Sequence, residues 1–437
     1  MKSRTRHVLF LAVAIASGVA VAAVDGAPRL APAAHPSALP SPADTGVQAF
    51  VGARIFDGTG GPVIDNGAVL VRDGVIAAVG PRDDVEIPAE AWVFDLTGLW
   101  LLPGLVNAHG HVSGDREAIL EQLRQYAYFG VTTVVSLGGN EAAGFPLREE
   151  QASPTLDRAR VFLAGPVLSP GSPAEARTEV ARVAEMGADW VKIRVDGGLQ
   201  GGAKMSPEVY GAVISEATAR GLPVAIHIWE LEDAKGVVRA GGSLVAHSVR
   251  DGRVDAELIS LLRERDVCLV PTFTRELSTF TYAERPAFFA DPFFLAGAAP
   301  PDLDAFLTPT LMQQQREGAA AAFWRQALPV AQENMRLLHE GGVGIAMGTD
   351  SGAPTGRWEG YFEHVELEMM VQGGISPEAA LLAATGVGAG CMGLAGEVGT
   401  IAPGAWADFL VLGEDPRADI LNTRQIHSVW ISGNRVR

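Results

Sequence analysis

Short apolar segments that alternate with helical patterns constrain the fold of this chain more than any other feature of its sequence. Each segment has the length of a buried strand, and strand–helix alternation is typical of parallel βα units. Eight such units predict an α/β fold, a (β/α)8 TIM barrel. The predicted strands are residues 99–108, 131–137, 160–168, 189–195, 223–228, 243–248, 267–273 and 343–349.

Six polar side chains lie at or near the carboxyl ends of these predicted strands. In chain order they are His109, His111, Lys192, His227, His247 and Asp350. The carboxyl ends of barrel strands meet on one face, where barrel enzymes gather their catalytic groups. Because side chains alternate along a strand, His109 and His111 project to the same face and can bind one metal ion together. The series therefore predicts a metal centre on that face.

On these residues the chain resembles the amidohydrolase superfamily, and in particular its binuclear metal-dependent hydrolases. The resemblance is closer to the imidazolonepropionase-like and Xaa-Pro dipeptidase-like group, which includes secreted amidases. Residues 246–251 and 399–409 also carry the resemblance. It implies two divalent metal ions, one held by His109, His111 and Asp350, the other by His227 and His247, with Lys192 bridging them.

The resemblance also implies the chemistry of the centre. A lysine ammonium has no lone pair, so Lys192 would react with CO2 to form a carbamate that bridges the ions. Zinc suits a histidine-rich site with one carboxylate. A hydroxide bridging the two metal ions would attack an amide carbonyl, and Asp350 would act as its general base and then as the acid for the leaving amine. The implied substrate is an N-acyl amino acid or a dipeptide-like amide.

A second mechanism stays open because of Glu230. His227 and Glu230 form the HxxE pattern of mononuclear aminohydrolases, in which the glutamate moves a proton during deamination. The alternative function is therefore a mononuclear deaminase or a cyclic-amide hydrolase that uses Glu230. Glu230 is equally explained as a surface acid at the start of a helix. A barrel kept only as a binding protein would be expected to lack ligands, and all six are present.

Three further residues are candidates for substrate contact. Arg194 and Arg250 follow predicted ligands closely and can bind a carboxylate bidentately, or can pair with the neighbouring acids Asp196 and Asp251. Trp229 stands where the dipeptidase-like group often has a second histidine. That departure bears on the shape of the substrate pocket and leaves the predicted ligand set intact.

The first 22 residues are predicted to be a bacterial Sec-type signal peptide, which would place the protein in the periplasm or outside the cell. A basic start precedes an apolar stretch over residues 8–21 that ends in small residues suited to cleavage. The stretch is short for a membrane span, so no stable anchor is expected after cleavage. Residues 23–45, rich in Pro, Ala and Ser, are predicted to be a flexible leader.

Both ends of the remaining chain are predicted to pair into one small β-sandwich beside the barrel. Residues 46–97 and 396–437 show alternating apolar patterns, and neither has enough strands to bury a sheet face alone. The barrel then occupies residues 98–395. Within it, the long connection over 275–342 is either a lid over the site or a group of helices on the barrel wall. The position of long βα loops favours the lid.

Charge and cysteine content limit the partners. The formal net charge is −17, and the predicted signal peptide holds three basic and no acidic residues, so its removal gives −17 − 3 = −20. No basic patch is present to neutralise phosphates, and nucleic acid is not an expected partner. We expect a small-molecule amide or dipeptide substrate and a homo-oligomer. Cys268 and Cys391 are expected to be separate core residues and not a disulfide.

Overall fold

A computed structural model describes residues 46–139, 142–199, 201–297, 303–352 and 356–437. The predicted signal peptide and leader lie outside the described residues. Across the described ranges, no helix combines the length and the apolar character that a membrane crossing requires.

The described residues form sixteen strands and thirteen α-helices. The strands are β1 (Val47–Ile55), β2 (Ile64–Arg72), β3 (Val75–Pro81), β4 (Trp92–Asp95), β5 (Trp100–Pro103), β6 (Leu105–Gly110), β7 (Val131–Ser136), β8 (Arg160–Leu163), β9 (Val167–Leu168), β10 (Val191–Arg194), β11 (Val224–His227), β12 (Leu244–Ala246), β13 (Cys268–Val270), β14 (Phe409–Leu412), β15 (Ile426–Ile431) and β16 (Asn434–Arg435). The α-helices are α1 (Arg116–Tyr128), α2 (Gly144–Glu149), α3 (Pro173–Glu185), α4 (Pro207–Ala219), α5 (Leu231–Arg239), α6 (Ala256–Glu264), α7 (Phe273–Leu277), α8 (Pro292–Gly297), α9 (Pro309–Glu317), α10 (Ala319–Glu340), α11 (Tyr361–Gln372), α12 (Pro377–Ala383) and α13 (Gly386–Cys391). Short 3-10 turns cover Arg82–Asp84, Thr281–Ala283, Ala287–Ala290, Leu303–Leu307 and Ile420–Arg424.

Local sequence explains where many of these helices begin. Asp115, Ser172, Asp255 and Ser376 each precede a helix, and each side chain accepts a hydrogen bond from the amide three residues later. Such caps satisfy amides that the first helical turn leaves unpaired. Every residue of strands β6 and β7 is buried, as expected of parallel strands that are covered on both faces.

Two parallel sheets form the centre of the α/β region. Strands β6, β7 and β8 form one sheet, and the other has the order β13-β12-β11-β10-β9. Segment 344–351 hydrogen-bonds to both sheets: the Leu269 amide donates to the Gly344 carbonyl and the Ala108 amide donates to the Met347 carbonyl, each at 2.9 Å. At the opposite edges, the Asp189 amide donates to the Leu163 carbonyl at 2.8 Å. The α/β class with parallel strands agrees with the sequence prediction.

Five of the predicted barrel strands are present as shorter strands, and the other three are not single regular strands in the structure. Residues 99–108 divide into β5 and β6, which belong to different sheets, and a Cβ atom at the intervening Gly104 would lie 2.0 Å from the Thr132 hydroxyl. Residues 160–168 divide into β8 and β9. Residues 343–349 form one isolated bridge, at Ile345, and no regular strand, because their backbone partners are shared among β13, β6 and Ala383.

Both chain ends contribute to one further sheet of eight strands. Its order is β16-β15-β14-β5-β1-β2-β3, and β4 pairs with β1. The antiparallel pairing of β5 with β14 joins the two ends. The ring of Phe50 packs edge-on against Phe409 and Trp430, with centroid separations of 4.7 and 4.8 Å. The apolar core of this sheet is therefore shared by both ends, while its division into two sandwich layers stays a prediction.

Cys268 and Cys391 form a disulfide, with their Cα atoms 5.8 Å apart. The prediction that they are separate core residues was wrong. Cys268 opens β13 and Cys391 ends α13, and 123 residues separate them in the chain. The disulfide joins a central parallel strand to the last helix before the C-terminal strands.

The long connection divides between the two positions predicted for it. Its aromatic stretch 286–294 packs into a cluster with Phe129, Tyr282 and Tyr361. Helix α10, in contrast, places Trp324 in the lining of a cavity that also contains His227. Contact with the site thus comes from α10, whereas the aromatic stretch packs against the body of the protein.

Candidate metal centre and adjoining pocket

The predicted polar residues converge at the carboxyl ends of the parallel strands. Lys192 Nζ lies 3.4 Å from His109 Nε2. The ring centroids of His109 and His247 are 4.7 Å apart, and those of His227 and His247 are 4.2 Å apart. His109, Lys192 and His247 are buried. Strands far apart in sequence therefore deliver these side chains to one place.

His109, His111 and Asp350, which we call the first donor set, form the most compact group. Asp350 Oδ1 lies 2.6 Å from His111 Nε2 and 3.4 Å from His109 Nε2. One ligand atom of each residue lies within 4.8 Å of the other two. Two imidazoles and a carboxylate at this spacing fit a divalent metal ion. His111 Nδ1 donates to the Gly138 carbonyl at 2.6 Å, which leaves its Nε2 as the metal-binding nitrogen.

His227 and His247, the second donor set, have different partners. His227 Nε2 lies 2.8 Å from Asp196 Oδ2, and His247 Nδ1 lies 2.6 Å from Thr272 Oγ1. Burial lowers the pKa of His227 to about 3, although Asp196 opposes the shift. Burial also holds the pKa of His247 well below its ordinary value. Both rings are therefore neutral near pH 7, as a metal ligand must be.

Asp196 is a residue of the site that the sequence analysis did not assign to the metal centre. Burial opposes its ionisation, but the close approach of His227 and the contact with Arg194 outweigh burial and lower its pKa below the ordinary value. Arg194 Nη2 and the Gly198 amide each lie 2.7 Å from Asp196 Oδ1. The available signal was its position four residues after Lys192, at the same strand end.

Burial is also the main influence on Lys192. It lowers the pKa of Lys192 to about 7; Asp350 opposes this shift, and Arg194 and Arg275 add to it. A substantial fraction of the amine is therefore uncharged near neutral pH. Only an uncharged amine can react with CO2, so this environment is compatible with the predicted carbamate.

Two arginines that the sequence did not single out face the second oxygen of Asp350. Arg357 Nη1 forms an ion pair with Asp350 Oδ2, and Arg275 Nε lies 3.7 Å from the same oxygen. Burial opposes ionisation of Asp350, but Arg357 and His111 together hold its pKa well below the ordinary range. Arg275 belongs to the long connection and Arg357 follows Asp350 in a loop, and neither position carries a recognisable motif.

The backbone at three site residues has an unusual conformation. His247, Thr272 and Asp350 have φ angles of 73°, 56° and 58°, in the left-handed region that residues other than glycine seldom adopt. Such conformations persist where surrounding contacts hold them, and they cluster at functional sites.

A cavity of about 460 Å³ adjoins the second donor set. Its lining includes His227 and Asp196, the arginines Arg194, Arg250 and Arg275, and the tryptophans Trp229 and Trp324. The Trp229 ring centroid lies 5.0 Å from that of Phe323 and 6.2 Å from that of Trp324. The cavity thus combines an aromatic wall with cationic side chains beside the candidate metal centre.

The two predicted carboxylate-binding arginines have different environments. The Arg194 side chain is 44% exposed and pairs with Asp196. The Arg250 side chain is 0% exposed and pairs with the equally buried Glu276, not with Asp251. Arg250 also donates to the Ile228 carbonyl at 2.8 Å. Of the two, Arg194 is the one with an accessible guanidinium.

Glu230 lies among side-chain partners of its own. Lys204 Nζ donates to Glu230 Oε2 at 2.5 Å, and the Trp229 indole donates to Oε1 at 2.7 Å. The pKa of Glu230 is lowered, mainly by the hydrogen bond with Lys204. Both oxygens are therefore occupied, and the surface-acid interpretation of Glu230 describes its position well.

Comparison with known proteins places this chain in a family. A sequence profile described as "Amidohydrolase family" matches residues 100–436, so the chain belongs to the amidohydrolase family. A second profile, "Imidazolonepropionase-like composite domain, bacteria", matches residues 67–86. The predicted superfamily, and the prediction of an enzyme that hydrolyses carbon–nitrogen bonds, are confirmed at the level of class.

Three similar proteins illustrate the range of relatives. A dihydroorotase from Anaeromyxobacter dehalogenans is 30% identical over 231 residues, which cover 50% of each chain. An imidazolonepropionase from Ralstonia nicotianae is 25% identical over 417 residues, which cover 83% of this chain and 90% of the relative. A crystal structure from Bifidobacterium longum, provisionally described as a prolidase, is 27% identical with a TM-score of 0.73 and covers 89% and 94%. The chain spans about half the length of the first curated relatives it matches.

Proposed function

We propose that this protein is an exported metal-dependent amidohydrolase that cleaves the amide bond of an N-acyl amino acid or a dipeptide-like substrate. The observation that carries the proposal is the compact first donor set, together with a cavity beside the second donor set that is lined by an accessible arginine and two indole rings. A metal centre explains why two imidazoles and a carboxylate converge. The cavity explains how an acyl amino acid is bound next to them.

The donor residues suggest how two divalent ions are held. His109, His111 and Asp350 would bind one ion, His227 and His247 the other, and Lys192 would bridge them as a carbamate. Bound zinc ions would polarise the substrate carbonyl and acidify water. Lys192 favours this assignment because its amine is buried, 3.4 Å from His109 Nε2, and partly uncharged near pH 7.

Asp350 is proposed to move the proton. Its Oδ1 faces His109 and His111, while Arg357 and Arg275 face Oδ2 and fix the orientation of the carboxylate. Asp350 would accept a proton from the attacking water and pass it to the leaving amine nitrogen. This path returns the carboxylate to its ionised state at the end of each turnover.

The cavity wall suggests how the substrate is oriented. Arg194 would bind the substrate carboxylate, because its guanidinium is accessible, and Trp229 and Trp324 would contact the apolar part. Arg250 borders the cavity but pairs with Glu276, so we assign it to the wall and not to the carboxylate. The deaminase alternative loses support because Glu230 is occupied by Lys204 and Trp229.

The same proposal covers the architecture and location. The hydrogen bonds of segment 344–351 with β13 and β6 support a closed (β/α)8 barrel over residues 98–395. The core shared by both chain ends supports a β-sandwich formed by residues 46–97 and 396–437. The Cys268–Cys391 disulfide favours an oxidising compartment, and so favours export. Assembly into a homo-oligomer stays a prediction.

A substrate panel tests this proposal. Purified protein loaded with zinc is assayed with N-acyl amino acids, dipeptides, cyclic amides and amino-heterocycles, and released amine and ammonia are measured separately. Matched N-acyl amines that lack the carboxylate serve as controls for Arg194. Turnover of carboxylate-bearing linear amides is expected. Ammonia release from amino-heterocycles, without hydrolysis of linear amides, would contradict the proposal.

A further inference from the structure

Helix α11 carries two glutamates that are 0% exposed, Glu363 and Glu366. Full burial of a carboxylate is unusual unless the group is paired. Within the described residues, neither glutamate forms an ion pair with a lysine or arginine. The two are three positions apart and share a face of the helix. Hydrogen bonds compensate for part of the cost of their burial, and those hydrogen bonds lead to the candidate metal centre.

Glu363 holds the two chain segments that supply the first donor set. Its Oε1 accepts hydrogen bonds from Asn107 Nδ2 at 2.5 Å, Thr349 Oγ1 at 2.9 Å and Ser351 Oγ at 2.7 Å. Asn107 in turn accepts from the His109 amide at 2.9 Å. Thr349 and Ser351 flank Asp350. One carboxylate oxygen thus connects the end of β6 to the turn that carries Asp350.

Glu366 holds the segment on the other side of the centre. One oxygen accepts from the Phe273 amide at 2.8 Å, and the other accepts from the Thr274 amide at 2.7 Å and from Thr274 Oγ1 at 2.8 Å. These residues directly follow Thr272, the partner of His247. They directly precede Arg275, which faces Asp350. Glu366 therefore fixes the start of α7 and, through Thr272, the ring of His247.

From these contacts we propose that Glu363 and Glu366 are positioning residues of the metal centre, Glu363 for the first donor set and Glu366 for the second. The inference rests on the proposed metal-binding role of those sets. Ligands held by fixed partners bind metal ions more tightly, since outer partners commonly contribute about 10- to 100-fold in affinity. Helix α11 would then act as one rigid support beneath both donor sets.

The hydrogen-bond geometry gives an asymmetric test. All three donors to Glu363 reach Oε1, so Glu363→Gln keeps the acceptor if its amide nitrogen takes the place of Oε2, which has no hydrogen-bond partner among the described residues. Glu366 uses both oxygens as acceptors. In Glu366→Gln, the side-chain NH2 group must face either the Phe273 amide or the two donors of Thr274, so a hydrogen-bond donor then faces another donor. The same chemical change should thus be tolerated at one position and not at the other.

The experiment measures zinc release from the full-length protein without substrate, using excess chromogenic chelator. Glu363→Ala is expected to release the ion of the first donor set about 10- to 100-fold faster, and Glu363→Gln to restore release to within about threefold of wild type. The Glu366→Gln variant is expected to retain about one zinc ion per chain, because the ion of the second donor set is lost. Glu368→Gln, on the same helix but partly exposed, is the control and should match wild type.

Two results would overturn the proposal: wild-type release from Glu363→Ala, or equal effects of the two glutamine variants. Circular dichroism and thermal unfolding of the metal-free variants separate positioning from failure to fold, and Glu363→Gln remains informative if the alanine variant does not fold. Because substrate is absent, a protein that shows the release pattern but hydrolyses no amide would contradict the proposed function and leave the positioning role supported.

Discussion

The two donor sets differ in how closely their side chains are already arranged for binding a metal ion. In the first, the Asp350 amide donates to the His109 carbonyl at 2.6 Å and the His111 amide donates to the Ser351 carbonyl at 2.8 Å, so backbone hydrogen bonds join the ligand segments directly. In the second, His227 points its Nε2 at Asp196. A ligand joined by backbone contacts needs little rearrangement to bind, whereas His227 must exchange a carboxylate partner. The first set is therefore expected to bind its ion more tightly.

Removing the proton acceptor that we propose for the first donor set, Asp350, should have the largest effect. Asp350→Asn keeps the size of the side chain and a ligand oxygen but cannot accept the proton, so kcat is expected to fall about 10²- to 10⁴-fold while much of the metal is retained. Steady-state kinetics with metal analysis checks this, and Asp251→Asn, an exposed acid, is the control. Activity within about tenfold of wild type would remove Asp350 from the proposed role.

Removing the bridge that we propose between the donor sets, Lys192, should have the next largest effect. Lys192→Ala is expected to lose most activity and to bind at least one metal ion more weakly. Added short carboxylic acids should restore part of the activity, because their carboxylate can take the place of the bridging carbamate. Glu230→Gln is expected to have a modest effect, because its carboxylate contacts Lys204 and Trp229. The reverse order, with Glu230 indispensable and Lys192 tolerant, would favour a mononuclear deaminase.

A third comparison concerns the cavity beside the second donor set. Arg194→Ala is expected to raise KM for carboxylate-bearing substrates about 10- to 100-fold, with a smaller change in kcat, since a charge-assisted hydrogen bond is lost. Arg250→Ala should instead destabilise the fold by about 1–3 kcal/mol, because the buried Glu276 loses its nearer ion-pair partner and keeps only Arg275, 3.3 Å away. KM measurements and urea unfolding separate the two. An unchanged KM in Arg194→Ala would show that the carboxylate binds elsewhere.

The sequence predicted the first donor set better than its surroundings, for physical reasons. His109 and His111 follow an apolar strand and alternate along it, so their shared direction is a local property. Arg275, Trp324 and Arg357 reach the site from the long connection and a loop, where no periodicity fixes direction. Contacts of that kind depend on tertiary packing, which a single sequence does not display.

The same limit applies to the prediction of the fold from the sequence. Residues 99–108 were predicted as one strand although Pro103 and Gly104 interrupt the apolar run, and the structure divides them there into β5 and β6. The Cys268–Cys391 disulfide was missed because proximity across 123 residues is a property of the folded chain. The alternation of strands and helices, in contrast, is visible in the local periodicity of the apolar residues, and it predicted the parallel sheets.

A smaller effect concerns the support beneath the first donor set. Burial raises the pKa of Glu363 to about 7 from an ordinary value of 4.5. The folded protein then binds a proton more tightly than the unfolded chain, so this group lowers the free energy of unfolding as pH rises from about 4.5 to about 7. In metal-free protein, Glu363→Gln should reduce the stability loss between pH 5 and pH 8, by on the order of 2 kcal/mol. Urea unfolding at both pH values checks this, and identical pH dependence would contradict it.

Calorimetric titration of the metal-free protein with zinc tests the central claim most directly, because it resolves the two donor sets without any substrate. We expect two ions per chain, bound in two steps of unequal affinity. His111→Ala should abolish the tighter step, and His247→Ala should abolish the weaker step. One ion per chain in the wild-type protein, or loss of the tighter step in His247→Ala, would contradict a binuclear centre built on a prepared first donor set.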